Sequence, residues 1–120
     1  MDPSDAVTVP SVAIVMRTKD RPILLSRAID DVLSQSFRDW ELIIVNDGGD
    51  PARVEELVSV REASAAGRIR VIHHHESLGM EAASNAAIRA SASEFLAVHD
   101  DDDTWDPDFL HLTVDYLNTP

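Results

Sequence analysis

A chain of 120 residues with 44% apolar side chains can form one hydrophobic core and is ordinary for a globular domain. Its net charge of −12, from 10 basic and 22 acidic residues, makes nucleic acid and anionic membrane surfaces poor partners. Without cysteine it has neither disulfides nor thiolate metal sites; with no apolar run of membrane-spanning length and no signal-peptide pattern at its start, it is expected in the cytoplasm.

Residues 1–11 hold two prolines and small polar side chains and read as a flexible leader, leaving 12–120 as one domain. Val12–Met16 (VAIVM) is the first expected strand, apolar throughout like a strand covered on both faces. A polar turn, Arg17–Pro22, leads to a helix with Leu24, Ala28, Val32 and Leu33 on one face, ended by Ser34–Phe37. Trp40–Val45 is the second strand and stops at the turn signal Asn46–Pro51. The spacing of Val54, Leu57 and Val58 predicts a helix over 51–65, ended by Gly67. Ile69–Ile72 is the third strand. Met80–Ala92 is an alanine-rich helix with Ala83, Ala86, Ala87 and Ala90 on one face.

Phe95–Val98 is the fourth strand, and it runs into four consecutive carboxylates, Asp100–Asp103. Asp106-Pro107 then opens a last helix to about Leu117, with Leu110, Val114 and Leu117 inward. The alternation β-α-β-α-β-α-β-α predicts an α/β fold with a parallel sheet and right-handed crossovers.

Acid runs are commonly solvated surface. This one lies between a strand pattern and a helix pattern, at the sheet edge where open α/β folds bind ligands. Mutual repulsion among four acids is relieved by a cation, and hard ions such as Mg²⁺ or Mn²⁺ share carboxylate oxygens with substrate phosphates. Two more loops reach the same edge. One carries Thr18 among the cations Arg17, Lys19 and Arg21; the other carries Asp47, Gly48 and Gly49, whose glycines allow close backbone approach. The three together suit a nucleoside diphosphate. The run His73–His75 is a poor metal site, because strand side chains alternate between faces. Trp40 and Trp105 read as packing residues.

These segments, VAIVMRTKDRP, ELIIVNDGG, SLGMEAASNAAI and FLAVHDDDDTWDPDFL, resemble family 2 glycosyltransferases in order and spacing, over nearly the whole chain after Ser11. The resemblance implies the Rossmann-like half of a GT-A fold, with strand order 3-2-1-4 and helices on both faces. It implies binding of a nucleotide-diphospho-sugar, a UDP-sugar, for inverting transfer to an acceptor hydroxyl. Thr18 and its loop, with Arg21, would contact the nucleotide, and Asp47, followed by Gly48, would bond the uracil. Gly79 and Asn85 would belong to the donor site through the glycine loop and its helix. Asp100 and Asp102 would be the ends of the DxD motif. Asp102 would bind Mn²⁺ or Mg²⁺, with Asp100 as the second metal residue, while Asp100 or Asp101 would lie near ribose and sugar.

Two departures stand out. Ser84-Asn85 replaces the common Arg-Asn, and nothing after Asp108 resembles the half that carries the family's acceptor site and general base. That base is expected beyond residue 120, so the 120-residue chain is expected to bind donor and transfer little sugar. In the 3-2-1-4 order the outer edge of the fourth strand is uncovered, which predicts a homodimer through that strand or the last helix.

Two other readings compete. Asp100-x-Asp102-x-Thr104 fits the DxDxT phosphatases, but that motif opens its domain, and only sixteen residues follow Thr104 here. A receiver-like signalling module needs a lysine after a fifth strand, and the only lysine is Lys19.

Overall fold

The computed structural model describes residues 10–118; of the expected leader, residues 1–9 lie outside the described residues, as do the side chains of residues 80 and 83 in the alanine-rich helix. The strands are β1 (Val12–Thr18), β2 (Trp40–Asp47), β3 (Ile69–His74) and β4 (Phe95–Val98). They form one parallel sheet in the order β3-β2-β1-β4. The helices are α1 (Pro22–Leu33), α2 (Pro51–Ser59), α3 (Glu62–Ala65), α4 (Met80–Ala90) and α5 (Phe109–Asn118). No described helix is long and apolar enough to cross a membrane.

Strand alternation divides the core in two. Val12, Ile14 and Met16 of β1 face α1, α2 and α5, together with Leu42 and Ile44 of β2. Ala13 and Val15, with Ile43 and Val45, face α4 through Ala87. Helices therefore cover both faces, as expected, but unequally. Leu96 and Val98 of β4 belong to the α4 face and are half exposed, as is Ile88 of α4.

Several expected boundaries shift. β1, β2 and β3 run past the apolar stretches to Thr18, Asp47 and His74, because ladder pairing continues through polar residues. The face of α1 is set by Leu25, Ala28, Ile29 and Val32; Leu24 and Leu33 are only half buried. The expected helix over 51–65 is two pieces. Arg61 interrupts it, bonding the Leu57 carbonyl of the preceding turn and reaching Asp30 and Ser26 of α1. The alanine-rich helix stops at Ala90, before the expected Ala92, and Ala87 is its buried contact, with Ala86 and Ala90 partly covered. α5 begins at Phe109, not Pro107, because Asp106 closes a turn first, accepting the N–H of Asp108 on its side chain and that of Phe109 on its carbonyl. Leu110 and Val114 are inward, whereas Leu117 is exposed.

The C-terminal end of α1 anchors the segment after β4. Gln35 is 1% exposed; its Nε2 donates to the Asp106 carbonyl at 2.9 Å, and its Oε1 accepts the Leu110 N–H at 3.1 Å. Ser36 adds its N–H to the Pro107 carbonyl and its hydroxyl to Asp108. A buried side chain that satisfies two backbone groups is costly to lose. Gln35→Leu should therefore lower unfolding free energy by about 2–4 kcal/mol, read from urea denaturation, because both groups are left unpaired. A loss well under 1 kcal/mol would show that α5 is held otherwise.

Candidate functional site

Parallel pairing brings the carboxyl ends of all four strands to one edge, where a cleft of about 410 Å³ opens. β1 contributes Arg17 and Thr18, and the turn after it Lys19 and Arg21; the acid loop contributes Asp100, Asp101 and Asp102. Asp47 comes from β2, and Ser77 and Gly79 from the loop before α4. Of the residues expected from the sequence, Thr18, Arg21, Asp47, Gly79, Asp100, Asp101 and Asp102 are thus brought together. Gly48 supports the cleft without lining it. Asn85 is exposed on α4 and does not line the cleft. Three cations and four carboxylates line the cleft, a net charge of −1 in a chain at −12.

The four consecutive acids meet four different environments. Asp100 pairs with Arg17 at 2.7 Å. Asp101, 6% exposed, turns inward and accepts from Thr18 Oγ1 at 3.2 Å and Arg21 at 3.4 Å. Asp103 folds back to accept the Asp100 N–H at 3.0 Å. Asp102 is exposed and has no hydrogen-bond or ion-pair partner among the described residues.

Carboxylate oxygens of Asp100, Asp102 and Asp103 lie within 4.8 Å of one another, and this is the metal-type cluster among the described residues. An all-carboxylate set of this kind fits a hard divalent cation. Asp103 belongs to the acid run expected to attract a cation but is not one of the two metal residues, Asp100 and Asp102, that the resemblance implies; the turn that returns it to Asp100 brings it there. The histidine run forms no ligand set: His73 bonds Glu55 and Asn46, while His74 turns to Asp47.

The acid loop rests on a buried polar post. His99, fully buried, donates from Nδ1 to the Asp100 carbonyl at 2.7 Å, and its Nε2 faces Asp31 of α1 at 2.7 Å. The same Asp31 oxygen accepts the Trp105 N–H at 2.6 Å. The Trp105 ring packs between His99 and Phe109, at 4.5 and 4.6 Å between centroids, which makes it a packing residue as expected. Nothing in the sequence links Asp31 to residues 68 and 74 positions away.

Asp47 has a further task that its place in the sequence did not reveal. Its Oδ1 accepts from His74 Nδ1 at 3.2 Å and Leu78 N–H at 2.9 Å. Its Oδ2 accepts from Ser77 Oγ at 2.8 Å and Gly79 N–H at 3.1 Å. One carboxylate thereby ties the β3–α4 loop to the end of β2. Gly48 permits the close approach: its φ is +93°, and a Cβ there would lie 2.7 Å from Ser77 N. Burial pushes the Asp47 carboxyl up, but the hydrogen bonds from Leu78, Ser77, His74 and Gly79 outweigh it and bring the pKa down to about 2.

A parallel α/β sheet of this order, with its cleft at the strand ends, has the architecture of an open α/β fold that binds its ligand where the strand order reverses. The chain belongs to the family described as Glycosyl transferase family 2, whose sequence profile matches residues 13–120. Family membership displaces the phosphatase and receiver readings. Among its relatives is an Escherichia coli K12 protein provisionally named a colanic acid biosynthesis glycosyl transferase, WcaA. The two are 38% identical over 103 residues, covering 86% of this chain and 36% of that one. Among solved structures, the mannosyltransferase PcManGT of Pyrobaculum calidifontis, in complex with GDP-Man and Mn²⁺, superposes with a TM-score of 0.81 at 21% identity, covering 95% of this chain and 34% of that one. TarS 1–349 of S. aureus, in complex with UDP, gives 0.80 at 15% identity, covering 90% and 32%. The chain thus spans about a third of the length of each of these proteins.

The depressed Asp47 pKa sets a pH dependence. Because the folded value, about 2, lies below the ordinary 3.8, the stabilisation is fully present above about pH 4 and is lost as pH falls toward 2. It amounts to about 2 kcal/mol. Thermal melts of wild type and Asp47→Ala across pH 6 to pH 2 should converge at the acid end. A gap that stays constant to the lowest pH would count against this linkage.

Proposed function

We propose that this chain binds a UDP-sugar in the cleft at the strand ends, with Mn²⁺ or Mg²⁺, and serves inverting transfer of the sugar to an acceptor hydroxyl. The observation that carries the reading is that three cations line one cleft with Asp100 and Asp102, two of the three acids of the Asp100–Asp102–Asp103 cluster. A divalent ion there would be held by those three carboxylates and would supply Lewis-acid stabilisation of the departing diphosphate. Lys19, exposed at the rim, and Arg21 face the phosphates as mobile counter-charges. Thr18 keeps Asp101 turned inward and, lining the cleft, would contact the nucleoside.

Asp47 accepts the uracil N–H in exchange for its longest contact, the one to His74. Its other three bonds keep the β3–α4 loop in place meanwhile. The acids of the β4 loop are occupied on the diphosphate side, so proton removal from the acceptor is assigned to a group outside residues 10–118.

Titration calorimetry tests this reading with UDP, GDP and ADP, each with Mn²⁺ and with chelator. UDP should bind best, and chelation should weaken it by about tenfold or more. Asp102→Ala should abolish the metal effect. Asp47→Ala should weaken UDP binding while leaving it metal-dependent. Equal affinities for UDP and ADP would remove the uracil role of Asp47, and no nucleotide binding with metal present would sink the proposal.

We also propose that a second copy pairs along the outer edge of β4, where among the described residues the backbone has a strand neighbour on one side only and Leu96 and Val98 are 49% and 54% exposed. Light scattering at high micromolar concentration should report a dimer, and Val98→Lys should return the monomer. A monomeric wild type would rule this out.

A further inference from the structure

Arg17 meets Asp100 through strand register. β1 and β4 pair as far as Val15 and Val98, so Arg17 and Asp100 are each two residues beyond the last rung. Arg17 Nη2 donates to Asp100 Oδ1 at 2.7 Å. The Arg17 side chain is 15% exposed and lines the cleft. A guanidinium carries five N–H donors. Among the described residues Asp100 is the one acceptor that Arg17 has, and its Nε is buried without any. Buried donors in that condition favour an anionic neighbour.

The partner of this guanidinium is itself one of the three acids clustered within 4.8 Å. Two cations therefore compete for one carboxylate, and close contact of both with Asp100 brings like charges together. A divalent ion must weaken the Arg17–Asp100 pair, which releases a planar donor fork inside the cleft. That fork matches phosphate oxygens bidentately, as a lysine does not. Arg21 is less suited to the exchange, being 56% exposed and 3.4 Å from its acid.

Resting on the nucleotide-sugar reading, we propose that Arg17 is an exchange residue: it holds Asp100 in the absence of a divalent ion and passes to the donor diphosphate when the ion takes Asp100. Arg17 would then slow metal loading of the bare cleft and strengthen binding of the loaded one. The two effects have opposite signs in one side chain, which separates the idea from a purely structural role.

The 120-residue chain is titrated first with Mn²⁺ alone, followed by electron paramagnetic resonance, and then with UDP at saturating Mn²⁺, followed by calorimetry. Arg17→Met keeps the apolar stem and removes the charge. It should tighten Mn²⁺ binding about fivefold and weaken UDP binding about fivefold, the size expected for a part-buried charge pair. Arg17→Lys keeps a charge without the fork, so Mn²⁺ affinity should stay near wild type while UDP binding still falls. Unchanged thermal melts identify both variants as folded. If Arg17→Met moves both affinities in the same direction, or leaves Mn²⁺ binding unchanged while wild type binds UDP, the exchange is wrong. Failure of the wild type to bind any nucleoside diphosphate would instead overturn the nucleotide reading, and the transfer of Arg17 to phosphate with it.

Discussion

Four adjacent carboxylates at the end of an edge strand repel one another, and the cleft exists because each is handled differently. Asp100 is neutralised by Arg17, Asp101 is turned inward to Thr18 and Arg21, and Asp103 is folded back onto the Asp100 N–H. Only Asp102 is left to solvent without a partner among the described residues. A flexible chain would relieve the repulsion by spreading out. The loop stays closed because its two ends are held from below, at His99 and Trp105 by Asp31, and further on by Gln35 and Ser36. The last turn of α1 and the residues just after it are in this sense part of the site, although none of these three side chains lines the cleft.

The second constraint is Asp47. Placed at the end of a central strand and nearly buried, it would be destabilising as a bare charge. Four donors from His74 and the Ser77–Gly79 loop offset that cost and, in the same bonds, fix where α4 begins. A group so fully engaged can serve a ligand only by exchange. Arg17 and Asp100 likewise offset one another's charge, which helps a highly charged cleft to fold.

The two faces of the sheet have different support. α1, α2 and α5 cover one side, burying its β1 and β2 side chains, and the residues that hold the acid loop come from that side. Among the described residues α4 alone covers the other, with Ala87 buried there, and the β4 side chains on that face are half exposed. The acid loop is thus anchored on the well-packed face.

The sequence by itself determined the class of fold, the strand order implied by family resemblance, and the stretch where ligand chemistry gathers. These were legible because apolar periodicity is local: VAIVM or FLAV reads as a strand wherever it sits, and βα alternation forces parallel strands whose loops share an edge. It also separated His73 from His74, since strand alternation is equally local. Tertiary structure alone decided how the charges are paired. Arg17 and Asp100 are 83 residues apart, and Asp31 and His99 are 68 apart. Their meeting depends on the register between β1 and β4 and on where α1 ends above them, and polar side chains carry no periodicity that reports either. The break at Arg61 and the inward turn of Asp101 were hidden for the same reason: a hydrogen bond is a property of two positions in space, whereas a hydrophobic pattern belongs to one segment of chain.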